Sequence, residues 1–114
     1  MGVIGSMEYV DIEKELIPYR FDIDIAEETY TFEVQYNAEH DFFTVDLEQD
    51  AEVLAVGVKL VYGVPLFGDI QDSRFPAYPL LPLDLAGESQ AVTWETLSER
   101  VFLYVIDEGA VSDG

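Results

Sequence analysis

The sequence predicts an all-β, mainly antiparallel fold, a small β-barrel or sandwich with one short helix near the C-terminal strand. Three observations carry this expectation. Apolar and polar residues alternate at period two through FDIDI, YTFEVQYN and FTVDLE; the breaks between these runs are short and polar; and the closing run VFLYVID is apolar on both faces. With 114 residues, of which 49% are hydrophobic and 13% aromatic, the chain suits a single domain that buries its own core.

The elements follow in order. Phe21, Ile23 and Ile25 alternate with Asp22 and Asp24; Tyr30, Phe32, Val34 and Tyr36 with Thr31, Glu33 and Gln35; Phe43, Val45 and Leu47 with Thr44, Asp46 and Glu48. Each run is a half-buried strand whose apolar side faces a core. The linkers AEE at 26–28 and NAEHD at 37–41 are hairpin-sized, so the strands pair in sequence as a meander. EQDAE at 48–52 is the next tight turn and leads into a strand over 53–62. Gly63 breaks the apolar run, because glycine alone takes positive φ freely, and a second strand is expected over 64–70.

Pro76, Pro79 and Pro82 then mark an extended segment, since proline cannot donate to a sheet ladder. The stretch from Phe75 to Pro82 is expected to serve as a docking arm, its backbone preset as extended. TWETLSER at 93–100, with Thr93 as N-cap, suits one or two helical turns. In the last strand Val101, Leu103 and Val105 point one way and Phe102, Tyr104 and Ile106 the other, which requires cover on both sides, within the fold or from another chain. MGVIGS at 1–6 is expected to be a cloning-derived leader, 7–107 the β-rich domain and 108–114 a flexible acidic tail.

Charge and chemistry exclude more than they select. The 24 acidic and 5 basic residues give a net charge of −19, yet the apolar content is far above that of disordered acidic segments. Lys14, Arg20, Lys59, Arg74 and Arg100 are too scattered to line a nucleic-acid groove. The absence of cysteine removes disulfides, thiolate metal sites and cysteine nucleophiles. Lys59 and two glycines interrupt the run from Val53 to Phe67, which is shorter than a membrane helix requires. His40 and Asp41 are adjacent and so point to opposite faces of a strand, a poor acid–base pair. Asp46, Glu48, Asp50 and Glu52 form an acidic ladder, but Ala51 lies among them and the glycine of a calcium loop is missing, so a solvated strand face is the better reading. There is no G-x-S-x-G elbow and no glycine-rich phosphate loop. No catalytic, cofactor-binding or metal-binding residue is expected, and no cofactor.

The succession YNAEHDFFTVDL (36–47), VLAVGVKLVYGVPLF (53–67), RFPAYPLLPLDLAG (74–87) and VTWETLSERVFLYVI (92–106) resembles the small baseplate plug proteins of contractile-tailed phages and prophages, from Pro18 to Ile106. The elements that carry it are Tyr36-Asn37 before a short turn, the Leu60 to Phe67 run with Gly63, and Pro82 to Asp84 followed by Gly87. Ala51, where a glycine would suit the turn, and Val58, where a polar residue would suit the strand, depart from the pattern. The resemblance implies a non-enzymatic structural protein of the virion tail baseplate, present in the host cytoplasm during assembly. Its implied partners are baseplate hub or tail-tube proteins, or a second copy of itself, with neither membrane nor direct nucleic-acid binding. An acidic surface would repel the phosphates of DNA. The apolar runs nominate Tyr62, Val64, Leu66, Phe67, Phe75, Tyr78, Phe102 and Tyr104 as the protein-interaction residues. The alternatives from other classes are an acidic DNA mimic, suggested by the −19 charge, and a small β-barrel enzyme or carbohydrate-binding or other small β-rich binding module, suggested by the aromatics and carboxylates.

Overall fold

Period-two alternation produces strands where it was strongest. The computed structural model describes residues 8–70 and 72–106. Its strands are β1 (Glu8–Val10), β2 (Tyr19–Ile25), β3 (Glu28–Asn37), β4 (Phe42–Gln49), β5 (Glu52–Lys59), β6 (Leu80–Leu83) and β7 (Phe102–Val105), with a single 3-10 turn at Lys14–Leu16. They form two antiparallel sheets, β2-β3-β4-β5 and β1-β7-β6. Among the described residues the sheets do not close into a barrel; they share one core in a sandwich-like arrangement, to which Phe32, Val34, Val45 and Leu47 contribute from one sheet and Val10, Leu80 and Leu103 from the other. The expected leader at 1–6 and acidic tail at 108–114 lie outside the described residues.

Register keeps the alternation on consistent faces of the larger sheet. Phe21 opposes Phe32, which opposes Leu47, all facing the core; Arg20 opposes Glu33, which opposes Asp46, all facing outward. The outer face of β2, β3 and β4 is therefore mainly polar, whereas β5 at the sheet edge exposes Val53 and Val56. Thr31 Oγ1 donates to Asp22 at 2.7 Å and Thr29 Oγ1 to Asp24 at 2.6 Å, while Arg20 grips Glu48 with two hydrogen bonds of 2.8 Å and Glu33 at 3.1 Å. One guanidinium thus ties three neighbouring strands together.

Four expectations need correction. The strand expected over 53–62 ends at Lys59, and its pairing with β4 slips twice, between Val45, Leu47 and Glu48. At the irregularity between Val45 and Leu47, Gly57 takes φ of +69° and its N–H is accepted by Asp46 at 2.7 Å, so Asp46 satisfies the donor that the bulge leaves unpaired. The strand expected over 64–70 is instead a series of turns with one bridge, Leu66 to Leu80. Pro65 is the reason: it has no N–H for a ladder, and its carbonyl accepts from Gly68 at 3.0 Å to turn the chain.

The helix expected over 93–100 is also absent. The Thr93 carbonyl accepts from Leu97 at 2.9 Å, one helical turn, but Ser98 then takes φ of +67° and ends it, with Ser98 Oγ donating to the Ile12 carbonyl at 2.6 Å. Thr93 does not cap this turn from its side chain; its N–H donates to Thr96 Oγ1 at 2.9 Å. The proline segment packs on its own domain rather than extending as an arm: Phe75 is buried in the core and the end of the segment, from Leu80, joins β6. Pro82 is tolerated there because its carbonyl accepts from Gly63 at 2.9 Å, on the side away from β7, and its nitrogen faces that same outer edge. Among the described residues no helix is long and apolar enough to cross a membrane.

Candidate interaction surface

The two sheets differ in what they show to solvent. The outer face of β2-β3-β4 carries carboxylates, threonines and Arg20, whereas the outer face of β1-β7-β6 is apolar. Tyr9 pairs with Tyr104 across β1 and β7, and Leu81 with Tyr104 and Leu83 with Phe102 across β6 and β7, so all five side chains share one face. The rings cluster: Tyr9 lies 4.6 Å from Phe102 and 6.0 Å from Tyr104, and Phe102 lies 6.2 Å from Tyr104. None of these five belongs to the central core, although Tyr104 is buried beneath its neighbours. Tyr9 remains 49% exposed and Leu85, just past β6, 56%. Burial, with smaller contributions from Tyr9 and Asp84, pushes the Tyr104 phenol above its ordinary pKa, so it stays neutral and adds no charge to the face.

Asp84 fixes the edge from which Leu85 projects. It is buried, its carboxylate accepts from the N–H groups of Ala86, Glu88 and Ser89 at 2.9, 3.1 and 2.9 Å, and its own N–H donates to the Tyr62 hydroxyl at 3.2 Å. This use of Tyr62 and Asp84 explains why the Pro82 to Asp84 element is followed by Gly87, which turns at φ of +74° with its N–H on the Asp84 carbonyl.

The nominated interaction residues separate into three groups. Leu66, Phe67 and Phe75 belong to the core, Phe67 standing edge-on to Phe75 at 5.6 Å and to Phe32 at 6.4 Å. Tyr62 and Tyr78 are half-buried against that core, and Val64 is exposed on the loop after β5. Only Phe102 and Tyr104 are brought together on the aromatic face. Tyr9, Leu81 and Leu83 complete it and were missed in the sequence. A three-residue strand shows no period of its own, and the prolines around Leu81 and Leu83 hide the alternation of β6.

The chemical candidates are occupied structurally. Asp41 accepts from the Tyr36 hydroxyl at 2.7 Å and the Trp94 N–H at 2.9 Å, which holds its carboxyl below the usual range, and it does not engage His40. Of the acidic ladder, Asp46 serves the β5 bulge, Glu48 holds Arg20 and Glu52 holds Arg74 at 2.9 Å. Among the described residues no three metal-ligating side chains converge. Lys14 is buried, its ammonium donating to the Trp94 carbonyl and lying 5.4 Å from the Trp94 ring centre and 3.9 Å from Glu99. It pins the segment after β1 to the loop before β7, and so supports the sheet that carries the aromatic face.

A family model described as Cyanophage baseplate Pam3 plug gp18 matches residues 7–108. No curated protein matches the sequence.

Proposed function

The chain belongs to the cyanophage baseplate plug family, and from that membership we propose that it is a non-enzymatic structural part of a phage or prophage tail baseplate, held by protein–protein packing against hub or tail-tube proteins. The observation that supports packing as its mode of action is the aromatic outer face of β1-β7-β6, set against the polar outer face of the other sheet. Tyrosine and phenylalanine supply large contact area at low entropic cost, and such residues mark interface centres. Of the residues nominated from sequence, Phe102 and Tyr104 carry this role, with Val64 available at a separate exposed loop and Leu66, Phe67 and Phe75 acting from within the core. The protein is made in the host cytoplasm and ends in the virion.

The test is composition of purified tails. Tails assembled with a tagged chain should contain it in a fixed ratio to hub protein, and their dissociation into baseplates should leave it with the baseplate fraction. Recovery of the chain only as free protein, or bound to nucleic-acid-binding proteins, contradicts the proposal.

A further inference from the structure

The aromatic face sits in a predominantly negative surround. Residues 1–13, 75–99 and 101–114, which include all three of its strands, contain no lysine or arginine. Asp11 is exposed just past β1, Glu8 is exposed at its start on the side opposite Tyr9, and Glu88 is exposed beyond the end of β6. Arg100, two positions before Phe102, is the nearest cation in sequence. The other cations are largely spent internally: Lys14 on the Trp94 carbonyl and Glu99, Arg20 on Glu48 and Glu33, Arg74 on Asp72 and Glu52. With a net charge of −19, little positive charge is left to meet acids on an approaching surface.

A second copy is therefore a poor occupant. A two-fold dimer through this face would set the same patch against itself, placing Asp11 and Glu88 of one protomer near the acids of the other. A different protein with basic residues around an apolar centre would gain both the aromatic contact and attraction at the rim. Building on the baseplate reading, we propose that the outer face of β1-β7-β6, centred on Tyr9, Phe102 and Tyr104, docks on a heterologous protein surface whose apolar patch is ringed by lysine and arginine.

The experiment adds purified full-length chain to baseplates assembled without it and measures bound chain at low and at physiological salt, with sedimentation of the chain alone alongside. Wild type should bind, and its association should slow about tenfold or more as the screening length falls from about 30 Å to about 8 Å. Tyr9→Glu and Phe102→Glu should each weaken binding about tenfold or more, while Val56→Glu, on the exposed β5 of the other sheet, should bind as wild type. The chain alone should sediment as a monomer. Tyr9 is half exposed, so its variant keeps the test open if Phe102→Glu does not fold by circular dichroism. Normal binding by the folded variants, salt-independent association, or a dimer of the free chain that Phe102→Glu dissociates would each overturn the docking proposal while leaving the baseplate reading intact. Failure of wild type to bind at any salt would overturn both.

Discussion

Ala26, Glu27, Asp50 and Ala51 occupy the two-residue turns of the β2–β3 and β4–β5 hairpins with φ of 54°, 69°, 53° and 66°. Both central residues of each turn are left-handed, the geometry that matches strand twist and favours Asn-Gly or Asp-Gly. The left-handed conformation costs a non-glycine residue about 1–2 kcal/mol, whereas glycine adds unfolded-state entropy worth about 0.5–1 kcal/mol. Ala51→Gly should therefore stabilise the protein by about 0.5 kcal/mol, read as a rise in the denaturant midpoint. Gly57→Ala, at φ of +69°, should do the reverse by about 1 kcal/mol, although nothing would crowd the added Cβ. The glycine expected at position 51 on the family pattern is thus explained by a backbone conformation, and its absence leaves a local strain. Asp41 makes a second residue-scale prediction. Its carboxyl is held below its ordinary value of 3.8, first by the Tyr36 hydroxyl and then by the Trp94 N–H. A depressed folded pKa means that the stability it contributes is present above the ordinary value and lost as pH falls through the folded one. Tyr36→Phe should raise the Asp41 pKa in a carboxyl NMR titration and lower Tm at neutral pH, with the gap to wild type closing below pH 3.8.

Among elements, β5 is held in register by one side chain of its neighbour. Asp46→Ala removes the acceptor for the Gly57 N–H and should cost about 1 kcal/mol, while Asp46→Asn, which keeps an acceptor, should cost less. Chemical denaturation of the three proteins separates these outcomes; equal stability of Asp46→Ala and wild type would mean that water serves the bulge equally well. The strands β2, β3 and β4 were legible in the sequence because one face is wet and the other dry, which writes period two directly. The other elements were not. Two bulges shift the parity of β5, one between Val53 and Ala55 and one between Ala55 and Val58, so its side chains no longer alternate cleanly. Pro65 and Ser98 end the apparent strand at 64–70 and helix at 93–100, through a missing donor and a left-handed backbone that a propensity argument does not register. β6 was read as an arm because of Pro82, whose edge position makes the missing N–H harmless.

For the whole molecule the net charge of −19 and the aromatic face are the two dominant facts. The surplus carboxylates repel one another across a small volume, with a radius of gyration of 13.9 Å, so Tm should rise between low and physiological salt; a flat or falling Tm would mean that the acids are paired or metal-bound. The two-sided apolar character of β7 was legible, and with it Phe102 and Tyr104 as interaction candidates. Which of the nominated residues belong to the core was not, because pairing of β7 with β1 and β6 decides which side of β7 faces the other sheet, and that pairing is set by long-range contacts. Phe67, at the end of an apolar run, and Phe75, in the proline-rich segment, were nominated as interaction residues and instead pack edge-on inside the core. The most direct test of a structural role through the aromatic face is a cryo-EM map of the assembled baseplate at side-chain resolution. It should show Tyr9, Phe102 and Tyr104 buried against another tail protein, with the Asp22 and Asp24 face open. A map with the aromatic face in solvent and the acidic face buried, or with no density for the chain, would contradict it.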